Sequence, residues 1–194
     1  MSDLGPSLPT LGPADCRIEG AVVLPRTVHL DRRGLLVETM RRDDATIRGE
    51  EFAMSYTSVT VPGQMRDRDR WHVHARQLDR FVVPLGEMIL ALFDARRASP
   101  SYGRVEAIRM AGASVRDPTS GGDPRNIATH LVTIPIGVYH GIANLHPNEP
   151  FVLQNYPTRL YDAADEGRVP FVDAPIPSLG GRPFSWELVE VRRP

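Results

Sequence analysis

Proline and glycine interrupt this chain almost everywhere: 18 Pro and 16 Gly are spread over 194 residues. Between them there is little room for a long helix with a 3.6-residue apolar period, whereas short apolar, β-branched and aromatic runs recur between turn signals. That punctuation predicts many short strands. Strands are expected at 21–24, 27–30, 35–40, 52–61, 71–74, 79–84, 87–93, 105–110, 130–134, 138–145, 151–155 and 184–191, and the charged run 41–51 could hold one short helix. Strands at this spacing point to an all-β sandwich or small barrel. Residues 1–19, with Pro6, Pro9, Gly12 and Pro13, show no sustained apolar period and are expected as a flexible arm. Residues 20–194 then form one domain with an irregular C-terminal segment.

Composition removes several classes of function. Hydrophobic residues make up 41% and charged residues 24%, as in soluble globular domains, and no apolar run approaches the roughly 18 residues of a spanning helix. The formal net charge of −1 gives no global attraction to nucleic acid or to an anionic membrane. The start of the chain lacks the basic residues and apolar stretch of a signal peptide. Cys16 is the only cysteine, so an internal disulfide or a cysteine-rich zinc site is impossible. All 23 basic residues are arginine. With no lysine there can be no Schiff base to the chain and no P-loop or kinase-type lysine. The arginine bias also fits GC-rich bacterial coding.

The chemically informative stretch is Trp71-His72-Val73-His74, followed by Asp79. Residues two apart on a strand face one side, so His72 and His74 point into one space and Trp71 points away into the core. About sixty residues on, Pro135-Ile136-Gly137 turns the chain into His140. Three imidazoles and a carboxylate suit two uses: ligation of Fe, Mn, Ni, Cu or Zn through His72, His74, Asp79 and His140, or proton transfer.

These two blocks resemble the two motifs of the cupin superfamily. The first reads His72-x-His74, four residues, Asp79, six residues, Gly86, with Asp79 where the family usually has Glu. The second reads Pro135-x-Gly137-x-x-His140-x-x-x-Asn144. The resemblance implies a double-stranded β-helix, the jelly-roll barrel, with a site inside its mouth. Over residues 20–187 the chain is more closely similar to the dTDP-4-dehydrorhamnose 3,5-epimerase (RmlC-like) family, through Asp31-Arg32-Arg33-Gly34-Leu35 and Glu38, Ser99-Pro100-Ser101-Tyr102-Gly103, Pro135-Ile136-Gly137-Val138-Tyr139-His140-Gly141, and Trp186.

This resemblance implies a cytoplasmic bacterial isomerase that epimerises a nucleotide-bound 4-keto-6-deoxysugar without a cofactor. It implies a homodimer paired through N-terminal strands. His72 falls on the family's base and His140 on a second histidine near the enolate. Arg33, with Arg68 or Arg70, falls to the diphosphate, and Glu38 to the nucleotide. The family's lysine falls on Asp79, and a substrate-binding position falls on Tyr56. The catalytic tyrosine falls near 153–156, so Tyr139, Tyr156 and Tyr56 are the candidates for the acid. The family's late Asp, the partner of its base, lies in a C-terminal extension that has no counterpart in this sequence. Two other readings stand beside this one: a metal-dependent oxygenase or isomerase using the four-residue set above, and a sugar-binding cupin without activity.

Overall fold

The computed structural model describes residues 7–44, 52–119, 127–174 and 181–192. These contain fourteen strands. The first five are β1 (Leu8–Leu11), β2 (Val22–Pro25), β3 (Val28–Asp31), β4 (Gly34–Val37) and β5 (Tyr56–Thr60). Next come β6 (Arg70–His74), β7 (Asp79–Leu85), β8 (Glu87–Asp94), β9 (Val105–Ala111) and β10 (His130–Ile134). The last are β11 (Val138–Ala143), β12 (Phe151–Asn155), β13 (Glu166–Pro170) and β14 (Val189–Glu190). A seven-stranded sheet runs β13-β6-β11-β8-β9-β1-β14 and a five-stranded sheet runs β2-β10-β7-β12-β5. Face to face they make the jelly roll. β3 and β4 form a separate hairpin that joins neither sheet. Among the described residues no helix is long and apolar enough to cross a membrane.

The continuous apolar run of β8 explains how the layers stack. Met88, Leu90 and Leu92 point between the sheets, where they meet Phe81, Val83, Ile108, Val132, Phe151 and Leu153. Ile89, Ala91 and Phe93 point to the other face, where Trp71, Phe171, Phe184 and Trp186 cover them. A strand buried on both faces needs apolar residues at every position, which is why β8 shows no polar alternation. Trp71 is fully buried, as its place opposite His72 predicts, with its ring 4.7 Å from Phe184 and 4.9 Å from Phe171. Gly86 joins β7 to β8 at φ +79°, and a Cβ there would lie 2.2 Å from the Pro150 carbonyl oxygen. Only glycine fits that turn.

Two departures from the sequence reading concern the chain's ends. The stretch expected as an arm contributes β1, which pairs in parallel with both β9 and β14, and Ile18 is buried in the core between the sheets. A segment of four residues carries too little pattern to stand out. The C-terminal segment contains β13, hydrogen-bonded to β6 along its whole length, and its aromatic residues roof the outer face of the larger sheet. The possible helix at 41–51 falls mostly outside the described residues, and 41–44 form a turn.

Candidate active site

The site is a row of side chains across three neighbouring strands. His140 on β11 stands opposite His72 on β6, and His72 stands opposite Arg168 on β13. The imidazoles of His72 and His140 lie 4.9 Å apart between ring centres. Facing them from the five-stranded sheet are Asp79 and Phe81 on β7, Leu153 on β12, and Tyr56 and Ser58 on β5. Together with Arg66, Asp67 and Ile142 they line a cavity of about 390 Å³, within the size range of small-ligand sites.

Asp79 ties the two sheets together. Its Oδ1 accepts from Asn155 Nδ2 at 2.8 Å and from Gln77 Nε2 at 3.0 Å. Its Oδ2 lies 3.4 Å from His74 Nε2 and 3.6 Å from His140 Nε2. The Asn155 amide also donates to the Tyr56 hydroxyl at 2.9 Å and accepts the Arg80 backbone N–H through Oδ1 at 3.0 Å. At the other wall Asp67 accepts the Ile142 backbone N–H at 3.0 Å and an Arg168 N–H at 2.8 Å. Arg168 also reaches Glu166 at 2.6 Å.

Burial sets the charge states. The His72 Nε2 atom is buried and has no hydrogen-bond partner among the described residues. Burial first, then His140, Arg168 and His74, pushes its pKa down to about 2. Glu166 lies 3.7 Å from His72 Nε2, but its carboxylate is held by Arg168 and does not offset burial. His72 is therefore a neutral imidazole, and its Nε2 is not committed to another hydrogen bond among the described residues. Burial also lowers the pKa of His140, against the opposing pull of Asp79 and Asp67. The Asp67 carboxyl and the Tyr56 hydroxyl are both shifted upward, again by burial first.

Of the residues singled out in the sequence, His72, His140, Asp79 and Tyr56 meet at the cavity. Others lie elsewhere, for plain geometric reasons. Tyr139 precedes the inward His140, so alternation turns it outward against Phe93, 5.8 Å between ring centres. Tyr156 follows the inward Asn155 and packs on Phe52, its hydroxyl 2.5 Å from Thr39 Oγ1. Arg33 sits at the tip of the β3–β4 hairpin, paired with Asp31, and Glu38 pairs with Arg41 at 2.8 Å. Arg68 is exposed and Arg70 pairs with its neighbour Asp69. The arginines at the cavity are instead Arg66 and Arg168. The sequence allows Asn155-Tyr156-Pro157-Thr158 to line the barrel but gives Asn155 no role, although it continues the buried face of Phe151 and Leu153 at period two.

The four residues weighed as a metal set do not fit that use. The Gln77 amide nitrogen stands 3.1 Å from His74 Nε2 and 3.0 Å from Asp79 Oδ1, so an N–H donor fills the space between these two prospective ligands. The other ring nitrogen of His74 faces Asp165 at 3.3 Å, and His74 does not line the cavity. Among the described residues no three His, Cys, Asp or Glu side chains are grouped to hold a metal ion. His74 braces Asp79 from behind.

A jelly-roll barrel with imidazoles, carboxylates and a phenol around a cavity between its sheets is the architecture of a cupin. No family model matches the chain. It is 35% identical over 151 residues to the probable low-salt glycan biosynthesis epimerase Agl13 of Haloferax volcanii, spanning 74% of this chain and 82% of that protein. It is 29% identical over 161 residues to the spore coat polysaccharide biosynthesis protein SpsL of Bacillus subtilis, spanning 82% and 93%. Among solved structures, a dTDP sugar isomerase from Desulfovibrio desulfuricans superposes with a TM-score of 0.67 at 25% identity, over 88% of this chain and 92% of that one. The protein belongs to the RmlC-like sugar epimerases, the family of dTDP-4-dehydrorhamnose 3,5-epimerase.

Proposed function

We propose that this protein epimerises a nucleotide-bound 4-keto-6-deoxysugar, with His72 as the base. The observation that carries the reading is the neutral His72, whose buried and unpartnered Nε2 belongs to the wall of a sugar-sized cavity. A carbon next to a ketone loses its proton when a base is at hand and the enolate oxygen is stabilised. His72 supplies the base. His140 lines the same wall, and the guanidinium groups of Arg66 and Arg168 supply the positive potential for the enolate and for the diphosphate, to which arginine's forked donors are suited. The reaction needs no cofactor, in keeping with the family. The dTDP sugar isomerase of similar fold supports a nucleotide sugar as the ligand.

The test is proton exchange in D₂O over a panel of 4-keto-6-deoxysugar nucleotides, followed by NMR. Deuterium should enter a carbon flanking the ketone and its configuration should invert. His72→Gln should slow exchange by about 10² or more, the usual worth of a positioned base. Thermal stabilisation by these sugars with no exchange in any of them would instead make the protein a binder.

A further inference from the structure

We propose that Tyr56 is the acid that returns the proton, and that Asn155 positions its hydroxyl. This rests on the epimerase reading and names the group which that reading leaves open. Of the five tyrosines in the chain, at 56, 102, 139, 156 and 161, Tyr56 alone lines the cavity. It stands on the five-stranded sheet, whereas His72 stands on the seven-stranded one. A sugar ring held between the sheets meets the base from one wall and the phenol from the other, as inversion at a single carbon requires.

The hydrogen bonds fix where the phenol's proton goes. Asn155 Oδ1 accepts the Arg80 N–H, so the two hydrogens on Nδ2 are the donors, one to Asp79 and one to the Tyr56 oxygen. The amide cannot be turned over without setting its oxygen against a carboxylate. The Tyr56 oxygen is thus an acceptor toward Asn155, and its own hydrogen is free to face the cavity. Tyr56 and Asn155 are paired directly across β5 and β12, so the contact is set by strand register. Burial of the phenol raises its pKa and keeps it protonated until an enolate is present.

The step balances. His72 takes the proton, and the C–H electron pair becomes the enolate double bond, with the charge on oxygen. The Tyr56 O–H bond then breaks as a new C–H bond forms on the opposite face, and the ketone is restored. The tyrosinate regains a proton from solvent as the His72 imidazolium gives one up.

The experiment compares deuterium entry with inversion for the same substrate in D₂O, in the full-length wild type, Tyr56→Phe and Asn155→Ala. Tyr56→Phe removes one oxygen from a partly exposed residue and should fold. It is expected to keep exchange within a few-fold of wild type and to lose inversion by about 100-fold or more. Asn155→Ala should lower the ratio of inversion to exchange with KM unchanged. Inversion that survives in Tyr56→Phe overturns the assignment, and so does exchange that vanishes together with inversion. An equal fall of both rates in Asn155→Ala overturns its positioning role. A wild type that neither exchanges nor inverts any sugar of the panel sinks the epimerase reading itself, a result distinct from any of these.

Discussion

His72 and His140 share one environment that disfavours charge, and this has a thermodynamic consequence for the whole chain. A histidine whose folded pKa lies below its unfolded value of about 6.5 leaves the unfolded state holding more protons as pH falls. Stability then declines with acidification, starting near pH 6.5, because the unfolded chain can protonate the ring and the folded chain cannot. With His72 pushed down to about 2, its share of the loss reaches at most about 2 kcal/mol by pH 5. The melting temperature should therefore fall between pH 7.5 and 5, and fall less steeply in His72→Gln. Parallel slopes in the two proteins would show that His72 is not held neutral. These two histidines could be found in the sequence because both sit at fixed spacings beside turn residues. Tyr56 was harder to place as the acid, since its role depends on a hydrogen bond to Asn155, 99 positions away. The local pattern favoured Tyr139 and Tyr156, and strand alternation turns both away from the cavity.

At the level of elements, alternation and turn residues were enough for most of the strands. β6, β7, β8, β9, β10, β11 and β12 lie close to their expected bounds because each carries a buried apolar face, and β7, β8, β9 and β10 also end at or beside Gly, Asp or Pro. β13, Glu-Gly-Arg-Val-Pro, has no such face. It exists because the outer edge of β6 offers it hydrogen bonds, a non-local reason that no short window contains. Its absence from the sequence reading also hid Glu166 and Arg168, and with them the only carboxylate near His72 Nε2 among the described residues. The β7–β8 turn makes a sharp test of the element-level argument. Gly86→Ala sets a Cβ against the Pro150 carbonyl and keeps an L-residue at positive φ. It should cost about 2 kcal/mol or more, from strain and the displacement of β12. Urea unfolding would measure it as a lower midpoint with an unchanged slope. A midpoint equal to wild type would mean that the turn can open at no cost.

For the whole molecule, the β3–β4 hairpin is the part that pairs with no other strand among the described residues. It joins neither sheet, and its Leu36 is 58% exposed. Two-stranded hairpins are marginal by themselves in water. At the edge of the five-stranded sheet, β5 likewise shows Val59 at 55% exposure, on the strand that also carries Tyr56. An unpaired edge with apolar residues invites another chain. The hairpin also carries Arg33, and Glu38 follows it, the residues that the family resemblance gives to diphosphate and nucleotide but that stand away from the cavity within a single chain. We propose an arrangement that would account for these observations, a homodimer in which the hairpin of one copy packs at the open edge of the other and brings Arg33 toward its neighbour's cavity. Sedimentation equilibrium should then give twice the 21.5 kDa chain mass. Leu36→Asp should shift the population toward monomer and raise KM for a sugar nucleotide more than it lowers kcat, because a residue that grips the diphosphate contributes to binding in ground and transition states alike. A wild type that is monomeric at micromolar concentration and fully active would assign the diphosphate to Arg66 and Arg168 alone, and would leave the hairpin as a feature of this chain's own surface.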